Sequence, residues 1–430
     1  MSHTLESLLA PPTSLAELDI PQNIVVDIVL RQLFMEGDTV ATRIEEVLCL
    51  PFKILDEILI HLQTEHLLEV PGSTGRLGRR SYVYRITDAG KARARDAFER
   101  SQYIGPAPVP LEKYNKAILL QARYEPVTPE RVKTALSHLI LPENFDLRIG
   151  PAINSGTSLF LYGPPGNGKT TIAQAIAGLV AGSDAIWLPQ AITVGGQIIQ
   201  VFDQLVHRRK DSRVSFPVDP RWSPYQRPVV MVGGELKMDS LELRFDPIAK
   251  FYEAPLQIKA NGGMFLIDDF GRQQVRPSDL LNRWIVPLET NIDSFRLQTG
   301  QPFQVPFKQL IVFSTNLDPA ELVDDAFLRR IQMKVEVTSP DEKMFYRIFV
   351  NMCQQLGIAF DKTSFLHLLQ EWYYKPGRKL QAVHPRDILR IAMALCSYQG
   401  VPCQLSPALI DEACRAYFVQ PQSSDGKLSS

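Results

Sequence analysis

Three groups of residues are spaced for chemistry on a phosphate chain. The first is Gly163-Pro164-Pro165-Gly166-Asn167-Gly168-Lys169-Thr170-Thr171, between the apolar run Leu159–Tyr162 and a helical stretch, Lys169–Ala181. Its spacing, GxxxxGK[ST], has a physical reason. Glycines let the backbone wrap with its N–H groups pointing inward, and the positive end of the following helix faces the same point. Lys169 can then reach the β- and γ-phosphates of a nucleotide while the Thr170 hydroxyl ligates Mg²⁺. The second group closes the run Gly262-Gly-Met-Phe-Leu-Ile-Asp268-Asp269. A buried parallel strand that delivers an acid at its carboxyl edge is a means of holding Mg²⁺, so Asp268 is the expected metal ligand and Asp269 the expected base that polarises the attacking water. The third is Asn316, at the end of Gln309–Asn316, whose amide both donates and accepts toward a phosphate or that water.

The elements that must position these groups read as an α/β parallel sheet. A second strand is expected at Ala185–Leu188 and a helix at Val194–Arg208, followed by a 209–262 insertion in which Arg227–Glu235 and Leu241–Phe245 read as strands. Leu280–Leu288 reads as an amphipathic helix, with Arg283 toward a subunit interface and Trp284 packed inside. Asp324–Ile331 places Arg329 and Arg330 after a short helix. His384-Pro385-Arg386-Asp387 opens a helix to Tyr398, which puts Arg386 at a helix start in an all-α C-terminal segment.

Taken in this order, the cradle, Asp-Asp strand, Asn-ended strand, Arg pair and Arg-bearing helical lid resemble the AAA+ P-loop ATPases over roughly residues 125–418. The resemblance implies Walker A at 163–170, Walker B at Asp268 and Asp269, sensor 1 at Asn316, an arginine finger at Arg329 or Arg330, and sensor 2 at Arg386. It also implies ATP and Mg²⁺ as cofactors and a homo-oligomeric ring, commonly a hexamer, with sites shared between subunits. The chain departs from the family at Asp269, where Glu is usual; the shorter carboxylate must reach further. Ala260-Asn-Gly-Gly263 is similar to clades with a helix-2 insertion, such as MoxR-like ATPases. In such rings inserted loops face the pore or client, which makes Phe251, Tyr252 and the 209–259 segment candidates for client contact.

The N-terminal part has a different order. Helices at Ile24–Phe34, Ala41–Leu48 and Phe52–Glu65 precede a hairpin of Leu67–Val70 and Tyr82–Ile86 around a Gly-rich turn at Pro71–Gly78, and Thr87 N-caps a last helix to Arg100. This order, over 21–101, resembles a winged-helix domain. Residues 71–100 carry a net charge of +5 and residues 21–70 a net charge of −6. The helix expected in a DNA groove, Phe52–Glu65, holds Lys53 against Asp56, Glu57 and Glu65, the wrong balance for base edges and phosphates, so protein docking is favoured over DNA. A flexible arm (1–20), a Pro-rich linker (102–125), a large subdomain (126–338), a helical lid (339–420) and a disordered tail (421–430) complete the expected organisation.

Composition narrows the remaining classes. The chain has 430 residues, 45% of them hydrophobic, and a net charge of −1, which favours neither nucleic acid nor a membrane surface globally. No apolar run is long enough to span a bilayer and the N-terminus lacks a signal-peptide pattern, so a cytoplasmic protein without membrane insertion is expected. Five cysteines without a CxxC pair suggest free thiols. The expected function is ATP-driven work on a protein client. Its rivals are a DNA-directed ATPase, such as a helicase loader or transcription regulator, and a slow-hydrolysing ATP switch.

Overall fold

The computed structural model of the chain describes residues 4–75, 78–122, 125–212, 214–322 and 328–418. Its centre is a five-stranded, wholly parallel sheet, whose strands we number along the chain: β1 Ser158–Tyr162, β2 Val229–Val232, β3 Met264–Ile267, β4 Leu310–Thr315 and β5 Met333–Glu336. The order across the sheet is β2-β3-β4-β1-β5. Period-two alternation serves both faces because both are covered. Leu159, Leu161, Leu266 and Val312 pack with Ile172 and Ile176 of helix Lys169–Ala181. Phe160, Phe265, Ile311 and Phe313 turn the other way, onto Trp284 of helix Pro277–Thr290. Each such side chain, fully buried, contributes roughly 1.5–3 kcal/mol, so the loops at the strand ends rest on a stiff platform.

The sheet's second strand is Val229–Val232, which the sequence places inside the insertion. Ile186–Pro189, the expected second strand, pairs antiparallel with Trp222–Tyr225 outside the sheet. No helix spans 194–208. Ala191–Val194 and Gln197–Gln200 form a hairpin around Gly195 and Gly196, at φ 55° and 76°. Two consecutive positive φ values make the tight turn whose twist matches paired strands. This hairpin joins Arg244–Asp246, Phe251–Glu253 and Val109–Pro110 in a second sheet. A further hairpin, Ile292–Arg296 with Pro302–Pro306, packs Phe295 and Phe303 into the same core.

Two connecting segments are also more structured than their composition suggests. Within 102–125, Leu111–Gln121 is a helix that buries Tyr114 and Ile118, one turn apart, against the second sheet. In the N-terminal arm, Thr4 caps helix Leu5–Leu9, Leu8 and Leu9 insert beside Trp187 and Trp222, and the Leu9 carbonyl accepts from Asp219 N at 2.7 Å. Sequence composition registers the prolines that interrupt these segments but not the apolar surfaces waiting for them.

The N-terminal module follows the expected order: helices Gln22–Glu36, Ala41–Leu48 and Phe52–Thr64, strands Leu68–Ser73 and Tyr82–Ile86, and helix Asp88–Arg100. Thr39–Val40 adds an edge to give a three-stranded antiparallel sheet. Arg76 and residues 421–430 lie outside the described residues. The C-terminal segment is helical: Glu342–Leu356, Lys362–Leu369, His384–Gln399 and Pro407–Tyr417 share one core. Among the described residues no helix is long and apolar enough to cross a membrane.

Candidate functional site

The loop between β1 and helix Lys169–Ala181 is held open by its glycines. Gly163, Gly166 and Gly168 sit at φ 135°, 74° and 86°. A Cβ on Gly163 would lie 2.4 Å from the Val337 carbonyl oxygen, and one on Gly166 would meet Gln381 Oε1 at 2.7 Å and Val383 Cγ1 at 2.8 Å. Both positions therefore require glycine for conformation and for space. Lys169 is buried and its ammonium donates to the Gly163 and Pro164 carbonyl oxygens, each at 2.8 Å. Burial lowers its pKa, and the carboxylates of Asp269 and then Asp268 oppose that shift. The cation is thus placed in the field of both acids, which β3 brings to the same edge.

At the end of β3, Asp269 adopts φ 49°, a left-handed conformation uncommon for a residue other than glycine. Gln273 holds this turn: its amide donates to the Asp268 and Asp269 carbonyl oxygens at 3.0 and 3.1 Å, and its Oε1 accepts from Gly271 N at 2.8 Å. Asp268 Oδ1 accepts from Asp269 N at 3.1 Å. From β4, Asn316 donates its amide to Asp269 Oδ1 at 3.1 Å. The two strand ends are joined by Phe270 N to the Ser314 carbonyl and Thr315 Oγ1 to the Phe270 carbonyl, both 2.7 Å.

The helical segment closes the cradle from above. Val383 N donates to the Gly166 carbonyl at 2.8 Å and Ala382 N to Asn167 Oδ1 at 3.1 Å, while the Asn167 amide reaches Ser339 Oγ at 3.2 Å. A cleft of about 610 Å³ results, within the range of small-molecule sites. It is lined by Pro165 through Thr171 of the cradle and by Asp269, Asn316 and Arg386. Its remaining walls, His138–Leu141 and Ile348, Asn351, Met352 and Gln355 of helix Glu342–Leu356, are absent from the sequence expectation. Their apolar spacing reads as ordinary helix packing, and only the approach of the two segments makes a wall of them. Gln273 carries no motif signal either.

Not every expected residue joins the cleft. Gly163 and Pro164 lie under Lys169, and Asp268 stands behind Asp269 rather than in the lining. Arg329 and Arg330 are not among the lining residues; Arg330 Nε donates to Glu289 at 2.6 Å, and Arg329 is exposed. Asp324–Phe327 lie outside the described residues. Arg386 lines the cleft while its Nε donates to Asp387 at 2.8 Å. Arg283, expected at a subunit interface, is instead tied within the chain to Asp293 and Glu242 at 2.6 and 2.7 Å. Tyr252 is buried, its hydroxyl accepting from Gln298 N, and Phe251 stacks edge-on with Tyr103 at 5.7 Å. Hydrophobic burial outweighs display for this aromatic pair.

The donor set fits a nucleotide triphosphate with Mg²⁺. Glycine-opened backbone, one buried ammonium and a helix N-terminus suit phosphates. Among the described residues no cluster of three or more His, Cys, Asp or Glu forms. Thr170 and Asp268 are the residues that would hold the cation, leaving its other positions to phosphate and water, as suits Mg²⁺.

Comparison with known proteins adds little beyond this. A domain of unknown function (DUF8689) matches residues 341–416, the helical segment that carries Arg386. No curated protein matches the chain. Among solved structures, the chain is similar to the Thermotoga maritima RuvB Holliday junction branch migration motor at 14% identity, over 67% of this chain and 70% of that one, with a TM-score of 0.35. It is also similar to a chain of the BchI–BchD complex of magnesium chelatase at 20% identity, over 67% and 94%, with a TM-score of 0.31. The class rests on the molecule's own geometry: a parallel sheet with flanking helices, the cradle after the interior strand β1, an amide and acids at the ends of the next two strands across the sheet, and a helical C-terminal segment. These fit the α/β fold of an AAA+ P-loop ATPase.

Proposed function

We propose that the chain is a Mg²⁺-dependent ATPase that works as a ring of identical subunits and uses ATP to remodel or assemble a protein client. The observation that carries this reading is a single cleft that gathers Lys169, Thr170, Asp269, Asn316 and Arg386 from four separate stretches of chain. Phosphoryl transfer needs positioning and charge neutralisation more than covalent help. Lys169 binds the β- and γ-phosphates, Thr170 and Asp268 hold the cation, and Asp269 orients the attacking water with its carboxylate aligned by Asn316. Bound Mg²⁺ would neutralise charge on the phosphate oxygens. Arg386, on the segment that hydrogen-bonds the cradle, senses the phosphates from the lid.

Arg329 and Arg330 stand outside their own cleft, which supports a finger that acts on a neighbouring subunit. Arg330 is engaged by Glu289, so Arg329 is assigned the role. Measuring ATP turnover of wild type against Lys169→Ala and Asp269→Asn tests the proposal. Wild-type turnover no higher than the Lys169→Ala background would leave only the slow switch.

The order of elements in the N-terminal module supports the winged-helix reading, and its ion pairs favour a protein partner over DNA. Arg79 donates to Asp56 at 2.6 Å and Arg80 to Glu45 at 2.7 Å, while Arg85 pairs with Asp38. The basic wing is thus partly neutralised by carboxylates of its own module, which leaves less charge to release counterions from a duplex. Client contact from the inserted module passes to its exposed apolar side chains, Leu205 and Ile248, rather than to the buried Tyr252.

A further inference from the structure

A cavity of about 400 Å³ lies between the N-terminal module and the inserted sheet, and it shares no lining residue with the nucleotide cleft. Helices Gln22–Glu36 and Asp88–Arg100 form one side; the hairpin turn at Gly196, strands Arg244–Asp246 and Phe251–Glu253 and the turn at Gln298–Thr299 form the other. The two sides are fastened at the rim: Gln102 N donates to the Ala249 carbonyl at 2.8 Å, and Lys250 pairs with Glu99 at 2.7 Å. We infer that this cavity is a second ligand site, built for a small phosphate-bearing anion that bridges the N-terminal module to the inserted sheet.

The charge of the lining carries the argument. Arg31, Arg100 and Lys250 face a single carboxylate, Asp27, and Arg100 already engages that carboxylate at 2.8, 2.9 and 3.1 Å. Arg31 is 1% exposed. Its Nη1 donates to the Ala97 and Ser101 carbonyls at 3.1 and 2.7 Å, and its Nε is buried without a hydrogen-bond partner. A buried guanidinium donor left unmet is a rare arrangement; Arg31 Nε is closed off from the cavity surface and meets an oxyanion when the side chain turns toward the cavity, where the planar fork of Arg favours phosphate. Burial pulls the pKa of this guanidinium down to about 10, with Asp27 opposing the shift, so it is still charged at neutral pH. Lys250 adopts φ 55°, and its present partner Glu99 is largely exposed, so its ammonium can exchange that carboxylate for ligand oxygens at little cost.

The remaining wall is aromatic. Phe245 and Tyr252 stand 5.0 Å apart, and Tyr252 is fixed by its hydrogen bond from Gln298 N. A phosphate on the cations leaves this wall for a planar body, so free phosphate and a phosphate ester are the two sources of the shared chemistry. The volume is at the small end of ligand sites, which suits either.

The test is calorimetric titration of the full chain with inorganic phosphate and, separately, AMP, in wild type and in Lys169→Ala. The second background removes the contribution of the cradle, so the outcome is independent of whether the chain hydrolyses ATP. In Lys169→Ala one saturable site is expected, with AMP tighter than phosphate if the ligand is an ester and equal if phosphate alone is read; wild type should show the same site in addition to binding at its cradle. Lys250→Ala should weaken binding about tenfold by removing one charge-assisted contact. Thr299→Trp, which places a ring at the cavity mouth from an exposed turn, should abolish it. Arg31→Lys, which keeps the charge but deletes Nε, tests the unmet donor, with the two surface variants safeguarding the result should that buried change impair folding. Absence of saturable binding by both probes, or binding unmoved by Lys250→Ala and Thr299→Trp, would overturn the site.

Discussion

Lys169 shows why single side chains matter here: its ammonium is held by two carbonyls of the cradle and faced by two acids of a different strand. Lys169→Ala should therefore abolish nucleotide binding, not merely slow turnover, as read by equilibrium titration with ATP. Asp269 offers the opposite experiment. Its side chain is one methylene short of the Glu usual at this place in the family it resembles, and Asn316 holds it. If reach limits the rate, Asp269→Glu should raise turnover by roughly three- to tenfold, within the range general-base placement commands; an unchanged rate would point to another slow step. Gln273 is not among the residues lining the cleft but fixes the left-handed turn of Asp269. Gln273→Ala should lower kcat about tenfold while leaving ATP affinity nearly intact, a split that general destabilisation of the fold would not give.

Between elements, the decisive contact is that of the C-terminal helical segment with the cradle. Val383 N donates to the Gly166 carbonyl and Ala382 N to Asn167 Oδ1, so the segment that leads into the Arg386 helix is registered on the phosphate loop by its own backbone donors. Gly166→Ala would force a Cβ into Gln381 and Val383 at a positive φ. It should weaken ATP binding and expose the loop around Ser339 to limited proteolysis, with the sheet still folded. The start of the same helix is sensitive to pH. Burial, aided by Arg378, pulls His384 down to about 4, and its Nδ1 pairs with the Tyr373 hydroxyl at 2.9 Å. A base whose folded pKa is depressed is held neutral, so the unfolded state binds the extra proton between pH 6.5 and 4. Stability of this segment should therefore be full above pH 6.5 and fall by on the order of 2 kcal/mol as pH drops through that window. Thermal melts should show that slope, and His384→Gln should flatten it.

At the scale of the whole molecule, the proposed ring makes a testable demand on the cleft. Arg329 is exposed and is not among its lining residues, and the proposed function has it complete the site of a second copy. Mixing Arg329→Ala with Lys169→Ala subunits, each inactive alone, should restore part of the turnover, because a mixed interface can join an intact cradle to an intact finger. Recovery by about a quarter of interfaces at equal mixing is the random-assembly expectation for a shared site of this kind. No recovery would confine the site to one chain.

Much of the site was legible from one dimension because its chemistry is local. The glycine spacing from Gly163 to Gly168, the paired acids at 268–269 and Asn316 sit at ends of short apolar runs, and such runs signal strands wherever both faces are buried. The β-hairpin at Gly195-Gly196 is not legible from the sequence because the surrounding apolar residues also suit a helix, and only pairing with Val109–Pro110 and Phe251–Glu253 settles the ambiguity. The walls at His138–Leu141 and Met352, the clamp by Gln273, and the cavity around Arg31 depend on segments far apart in the chain coming into contact. Local spacing encodes what a loop can bind. Which distant side chains complete the pocket is set by packing, because contact geometry arises only when the hydrophobic faces that carry those residues are buried against each other.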